Sequence, residues 1–256
     1  MKRLLATLPL VLLGLAPGLA PEPPKINPHA DADGKALVAQ LLAQTPTQNL
    51  TNHGILKTRA GRGSWREVPV SFQIFATDAG WTSSYETRGT NAAVTCLTIT
   101  RLASGALEYR LAHTTNSACP DSAGQVLAGA GTMVPFANSD FWVADLGLEF
   151  LHWPTQRLLR KEMTRGQSCN VLESVAPARQ TNGYVRVLAW LDIDTGGVVF
   201  AEGYDAKGRL LKEFAPKAFK KVGGQWELEE MEIFNRQTGS RTRIQFDLAN
   251  PPGSSR

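Results

Sequence analysis

A chain of 256 residues with 43% hydrophobic and 20% charged content is neither disordered nor fibrous, and it has room for one large domain or two small ones. Its formal charge of +4 falls to +2 once the first twenty residues are set aside, leaving 25 Lys and Arg against 23 Asp and Glu, too small an excess for a nucleic-acid partner. Three cysteines and four histidines, with no CxxC and no HExxH, exclude the usual thioredoxin and metal signatures, leave only a metal assembled from distant residues, and call for no cofactor.

Met1-Lys2-Arg3 is a short basic start, Leu4 to Leu15 is an apolar run of about a dozen residues, and Gly18-Leu19-Ala20 supplies small residues for cleavage. This is the pattern of a secretory signal peptide over residues 1–20, since a membrane span needs about 20 apolar residues. The lack of a cysteine near the cut leaves no residue for a bacterial lipid anchor, so a soluble periplasmic protein is expected. Residues 21–30 form a Pro-rich spacer unsuited to a helix.

A folded domain is expected over 31–249, followed by a flexible tail at 250–256. Asp31 or Asp33 can cap a helix through Leu42, in which Leu37, Val38, Leu41 and Leu42 make one apolar face. Beyond Gly54 the period changes to alternation. Val68, Val70, Phe72 and Ile74 share one face, as do Ile244, Phe246 and Leu248; Val185, Val187, Ala189, Leu191 and Ile193 alternate with Tyr184, Leu188 and Trp190, so that strand is expected to be covered on both faces. Turns are expected at Asp194-Thr195-Gly196-Gly197, Asp205-Ala206-Lys207-Gly208, Gly223-Gly224 and Gln237-Thr238-Gly239, which makes the C-terminal third an antiparallel meander. One helical interruption is expected from Ser139-Asp140, either of which can cap it, to Trp153-Pro154.

Catalytic signatures are missing. There is no GxSxG elbow, and Ser, His and Asp have no activating spacing, so the chain is not read as an enzyme. Glu227, Glu229, Glu230 and Glu232 are read as a charged outer strand face, His113 and His152 as structural, and Arg157, Arg160, Lys161 and Arg165 as charge protecting a strand edge. In an oxidising compartment Cys96–Cys119, Cys96–Cys169 and Cys119–Cys169 are the three available disulfides.

Ser139-Asp140-Phe141-Trp142-Val143-Ala144-Asp145-Leu146-Gly147, then Trp153-Pro154, Cys169-Asn170-Val171-Leu172-Glu173, Val187-Leu188-Ala189-Trp190-Leu191-Asp192, Glu202-Gly203-Tyr204-Asp205, Gly208-Arg209-Leu210-Leu211-Lys212 and Thr238-Gly239-Ser240-Arg241-Thr242 follow one another in an order and spacing that resembles the outer-membrane lipoprotein-sorting protein family, the LolA-like carriers. The resemblance is clearest over 139–248 and weaker over 51–111. It implies an incomplete antiparallel β-barrel of about ten strands, with helices plugging its concave apolar face. It also implies a carrier of lipoprotein or lipid acyl chains that delivers to an inner- or outer-membrane transport partner. The alternative it allows is an RseB-like periplasmic sensor or adaptor for lipid or envelope stress.

A barrel of more than about eight strands is too wide for its own side chains to fill. An acyl chain of some sixteen carbons contributes on the order of 10 kcal/mol on burial, so a carrier's cavity must rival the membrane and stay closed when empty. The alternation offers Phe72, Ile74, Leu97, Ile99, Leu111, Val187, Leu191, Val199, Ile244 and Phe246 as cavity-lining residues, and Phe141, Leu146 and Phe150 as the lid. The plainer reading of each is packing against the covering helices.

Overall fold

Alternating apolar residues and well-placed turns generate thirteen strands: β1 (Leu50–Arg59), β2 (Arg66–Thr77), β3 (Gly80–Arg88), β4 (Val94–Arg101), β5 (Leu107–Thr114), β6 (Gln125–Leu127), β7 (Thr155–Thr164), β8 (Gln167–Val175), β9 (Arg186–Asp192), β10 (Val198–Tyr204), β11 (Leu210–Val222), β12 (Gln225–Asn235) and β13 (Arg241–Phe246). The computed structural model describes residues 27–248 apart from 47, 78–79, 90–92, 103, 116–118, 120–123, 179 and 181. The expected signal peptide, most of the Pro-rich spacer and the expected tail therefore lie outside the described residues.

All strand pairs are antiparallel, in the order β6-β5-β4-β3-β2-β1-β13-β12-β11-β10-β9-β8-β7. The chain meanders outward from β1 to one edge at β6, crosses to the opposite edge at β7, and meanders back until β13 zips against β1. Among the described residues thirteen strands rather than about ten make the sheet, and it stays open between its two edges. Four of its turns are the expected ones: residues 193–197, 205–208, 223–224 and 236–239 join β9 to β10, β10 to β11, β11 to β12 and β12 to β13.

Curvature leaves one apolar concave face. Phe72, Tyr85, Leu97 and Leu111 are direct neighbours across β2 to β5, as are Ile74, Ser83, Ile99, Tyr109 and Leu127 across β2 to β6. The Phe72 ring lies 4.6 Å from Tyr85 and 5.9 Å from Phe246, so the two halves of the sheet touch through aromatic side chains. Gly54 permits the tight coil at the β1–β13 seam: a Cβ there would lie 2.1 Å from the Gln245 carbonyl oxygen.

Residues 128–154 join opposite edges of a curled sheet and run over the concave face. Phe136, Phe141 and Val143 enter the apolar cluster of β1 to β6, β12 and β13. Phe150, Leu151 and Trp153 enter a second cluster over β8 to β10, shared with the helix α1 (Ala30–Ala43). On α1, Val38 is buried and Leu37, Leu41 and Leu42 pack beside it, the face read from the sequence. Gly34 lets the helix rest on strand backbone, since a Cβ there would lie 2.5 Å from the Gln156 carbonyl oxygen of β7. Arg101 of β4 donates to the Leu42 carbonyl at the far end of α1, so this helix links the edge strand β7 to β4 in the other half of the sheet.

Two expected caps are corrected. His29 occupies the N-cap of α1 without a side-chain hydrogen bond, while Asp31 pairs with Arg157 at 3.0 Å; both acids still sit in the first turn, where the helix dipole favours them. The central segment is no continuous helix from Ser139. It holds one α-turn, α2 (Val143–Leu146), and a 3₁₀ turn at Glu149–His152, separated by Leu148 in the left-handed region at φ 50°. The left-handed Leu148 breaks the helical backbone, at a cost of about 1–2 kcal/mol that the packing offsets.

The convex face carries its own small clusters. Cys169, Val171, Leu188 and Trp190 form one, which explains the two-sided burial of β9. Ile193, read as the end of that strand, is instead 38% exposed in the turn after it. Cys96 and Cys119 are the bonded pair, with Cα atoms 5.9 Å apart, and Cys169 is free and buried. Basic β7 is a sheet edge, as its charges implied. Glu232, read as solvated, is only 4% exposed because Lys217, Arg241 and Arg243 enclose its carboxylate.

Candidate functional site

The site is the concave face together with the crossover segment that fills it. Leu97, Ile99, Ile244 and Phe246 are buried in the first cluster, with Phe72 and Leu111 packed against it. Val187 and Leu191 belong to the second. Ile74 is half-buried and lies outside both. Val199 lies on the convex face: the β10 register against β9 shifts between Val198 and Phe200, so Val198 packs inward and Val199 joins Trp190 and Phe200. Of the three lid residues, Phe141 and Leu146 contact the first cluster and Phe150 the second.

Two polar clasps hold the segment at its ends. Asp140 accepts hydrogen bonds from Ser240 Oγ at 2.5 Å and Thr242 Oγ1 at 2.9 Å, and its own N–H donates to Thr242 Oγ1 at 2.9 Å. This carboxylate therefore fastens the segment to the β12–β13 hairpin and caps no helix. At the other end Gln156 Nε2 donates to the carbonyls of Phe150 and Trp153 at 2.9 and 3.0 Å, and Ser174 Oγ donates to Gln156 Oε1 at 2.7 Å.

Between the clasps sits a buried charged group that the alternation did not single out. Lys212 points inward from β11 and is 3% exposed. Its ammonium donates to the Asp140 carbonyl at 2.6 Å, lies 3.7 Å from Asp145 Oδ2 on α2, and stands 3.3 Å from the centroid of the Trp142 ring. Asp145 also accepts the Trp142 N–H at 2.7 Å and a hydrogen bond from Tyr184, whose ring stacks 4.6 Å from Trp142. Gly203 leaves room for that tyrosine, since a Cβ there would come within 2.4 Å of its ring.

Burial sets the electrostatics here. It pushes the Asp145 carboxyl up against the opposing pull of Lys212, raises the Tyr184 phenol, and lowers Lys212 to about 8 despite Asp145 and Asp140. The one sequence signal for Lys212 was its phase: it shares the inward side of β11 with Phe214, a position where alternation calls for an apolar residue.

Beside Lys212 a cavity of about 30 Å³ is walled by Leu148, Phe150, Val187, Phe214 and Ile233, with Asp145, Tyr184 and Glu202 also in its lining. That is room for a water or two and far too little for an acyl chain. Among the described residues no group of three or more His, Cys, Asp or Glu could hold a metal ion, and no helix is long and apolar enough to cross a membrane.

Three solved structures share this architecture over most of the chain. A DUF1329 family protein from Desulfovibrio piger superposes with a TM-score of 0.65 at 19% identity, covering 88% of this chain and 95% of its own. A domain named for outer membrane lipoprotein sorting, from Vibrio parahaemolyticus, gives 0.63 at 18% over 88% and 95%. A LolA superfamily protein from Nitrosomonas europaea gives 0.57 at 15% over 86% and 94%. The fold is LolA-like. At these identities the likeness is one of fold, and function is argued from the site. A family model described as an uncharacterized protein matches residues 125–250, the stretch that holds the crossover segment and β7 to β13 of the LolA-like fold. No curated protein matches the chain.

Proposed function

We propose that this protein is a periplasmic carrier, exported by its N-terminal signal, whose half-barrel takes up acyl chains of lipoproteins or lipids when residues 141–152 leave the concave face. The observation that carries this reading is the filling of that face. A thirteen-stranded open sheet encloses more space than its own side chains fill, and what fills it is a crossover segment of single helical turns, clasped at Asp140 and Gln156. Phe141, Leu146 and Phe150 present to the sheet the kind of surface an acyl chain presents. Exchanging one for the other conserves apolar burial, so the empty form is closed without committing the protein to a fixed core.

Hydrogen exchange with and without a lipopeptide tests the reading. Binding is expected to speed exchange over residues 141–152 while β1, β13 and the strands beside them stay protected. Saturable binding with unchanged protection in 141–152 would make the segment fixed core, and failure of any acylated probe to bind would end the carrier reading.

A further inference from the structure

The position of Lys212 selects among ligands, and the selection rests on the acyl-carrier reading. Asp145 and Trp142, which offset the ammonium's burial, both ride on the segment that the ligand displaces. Asp140 stays behind and its carbonyl keeps a hydrogen bond from the ammonium, but its carboxylate oxygens are turned to Ser240, Thr242 and Asn235, so the close carboxylate contact that Asp145 supplies is lost. An acyl chain with an ester or amide head would thus leave this cation without a carboxylate contact and bind more weakly than one that brings an anion of its own. We infer that the ligand is an acyl chain ending in an anionic head, a carboxylate or a phosphate, whose oxygens take the place of the Asp145 carboxylate at Lys212.

The surroundings suit such an amphiphile. Leaving with α2, Asp145 frees two donors on the sheet side, the Lys212 ammonium and the Tyr184 hydroxyl. Both line the cavity together with Leu148, Phe150, Val187 and Phe214, so the chamber joins these donors to an apolar wall. Glu202 also borders the cavity, but its side chain alternates with the inward Ala201 and accepts a hydrogen bond from Tyr204 of the convex-face cluster. Asp145 then acts as a built-in surrogate for the ligand's head and holds the segment closed until a better-placed anion arrives.

Three probes of equal chain length test this on the full protein by calorimetry: dodecanoate, dodecyl phosphate and uncharged dodecanol. The wild type is expected to bind at least one anion roughly tenfold or more tighter than dodecanol, a difference typical of a paired buried charge. The tighter of the two anions identifies the head as carboxylate or phosphate. Lys212→Met is expected to erase the preference, so that the three probes bind with similar affinity, whereas Lys212→Arg keeps it. If Lys212→Met does not fold, the double variant with Asp145→Asn, which removes both charges, is expected to show the same loss. Equal wild-type affinity for all three probes, or a preference surviving in the methionine variants, overturns the anionic head while leaving the carrier intact. No binding of any probe overturns both.

Discussion

The Asp145 carboxylate lies 3.7 Å from the Lys212 ammonium, across the boundary between the crossover segment and the sheet, and it joins the one moving part of the proposed mechanism to the wall behind it. Removing either charge strands the other in a dry site, so Asp145→Asn or Lys212→Met alone is expected to destabilise by about 3 kcal/mol. The double variant is expected to return to within about 1 kcal/mol of wild type, because two neutral groups need no pairing. Urea denaturation of the four proteins measures the coupling, and additive losses would show that the pair is not an energetic unit.

The depressed pKa of Lys212 fixes a pH dependence. Between about 8, its folded value, and its ordinary value near 10.4, the unfolded chain holds a proton at this lysine that the folded protein has released. Stability from this group therefore rises with pH across that window, by on the order of 3 kcal/mol at most. Comparing wild type with Lys212→Met isolates the effect from other lysines and tyrosines. The difference between them is expected to shift in favour of the wild type as pH increases from 8 to 10.

Gly34 has no space for a side chain against the β7 backbone. Gly34→Ala is expected to lift α1 from the sheet and destabilise by about 1–3 kcal/mol, outweighing the gain in helix propensity. Its signature is local: residues 30–43 lose exchange protection first, whereas a uniform loss would indicate global destabilisation.

The Cys96–Cys119 bridge closes a loop of sequence separation 23 on the convex side of β4. Replacing both cysteines with alanine is expected to cost about 3 kcal/mol. Cys169, buried and with its thiol pushed up chiefly by burial, is expected to react with a maleimide only at the rate of unfolding. Fast labelling of the native protein would show that the β8–β9 face opens.

Much of the sheet was legible before the structure because its determinants are local. A period of two placed Ile244, Phe246 and Leu248 on one face, and glycine at left-handed turn positions such as Gly196, Gly208 and Gly239 marked where the chain reverses. The same argument failed at Val199, where a register shift moves one residue to the other face without leaving any mark in the alternation. It failed at Asp140 as well, whose partners Ser240 and Thr242 lie about a hundred residues away, so a residue that reads as a helix cap becomes a clasp.

By itself, then, the sequence determined the alternation of β2, β9 and β13, the four turns of the C-terminal meander, the apolar face of α1 and the charged edge at β7, since each follows from neighbours within a few positions. The tertiary structure decided the closure of β13 on β1, the path of residues 128–154 over the concave face, the choice of Cys119 as the partner of Cys96, and the pairing of Lys212 with Asp145. Those depend on which distant segments meet once the sheet has curled, and a buried ion pair takes its energy from the medium around it, which exists only in the folded chain.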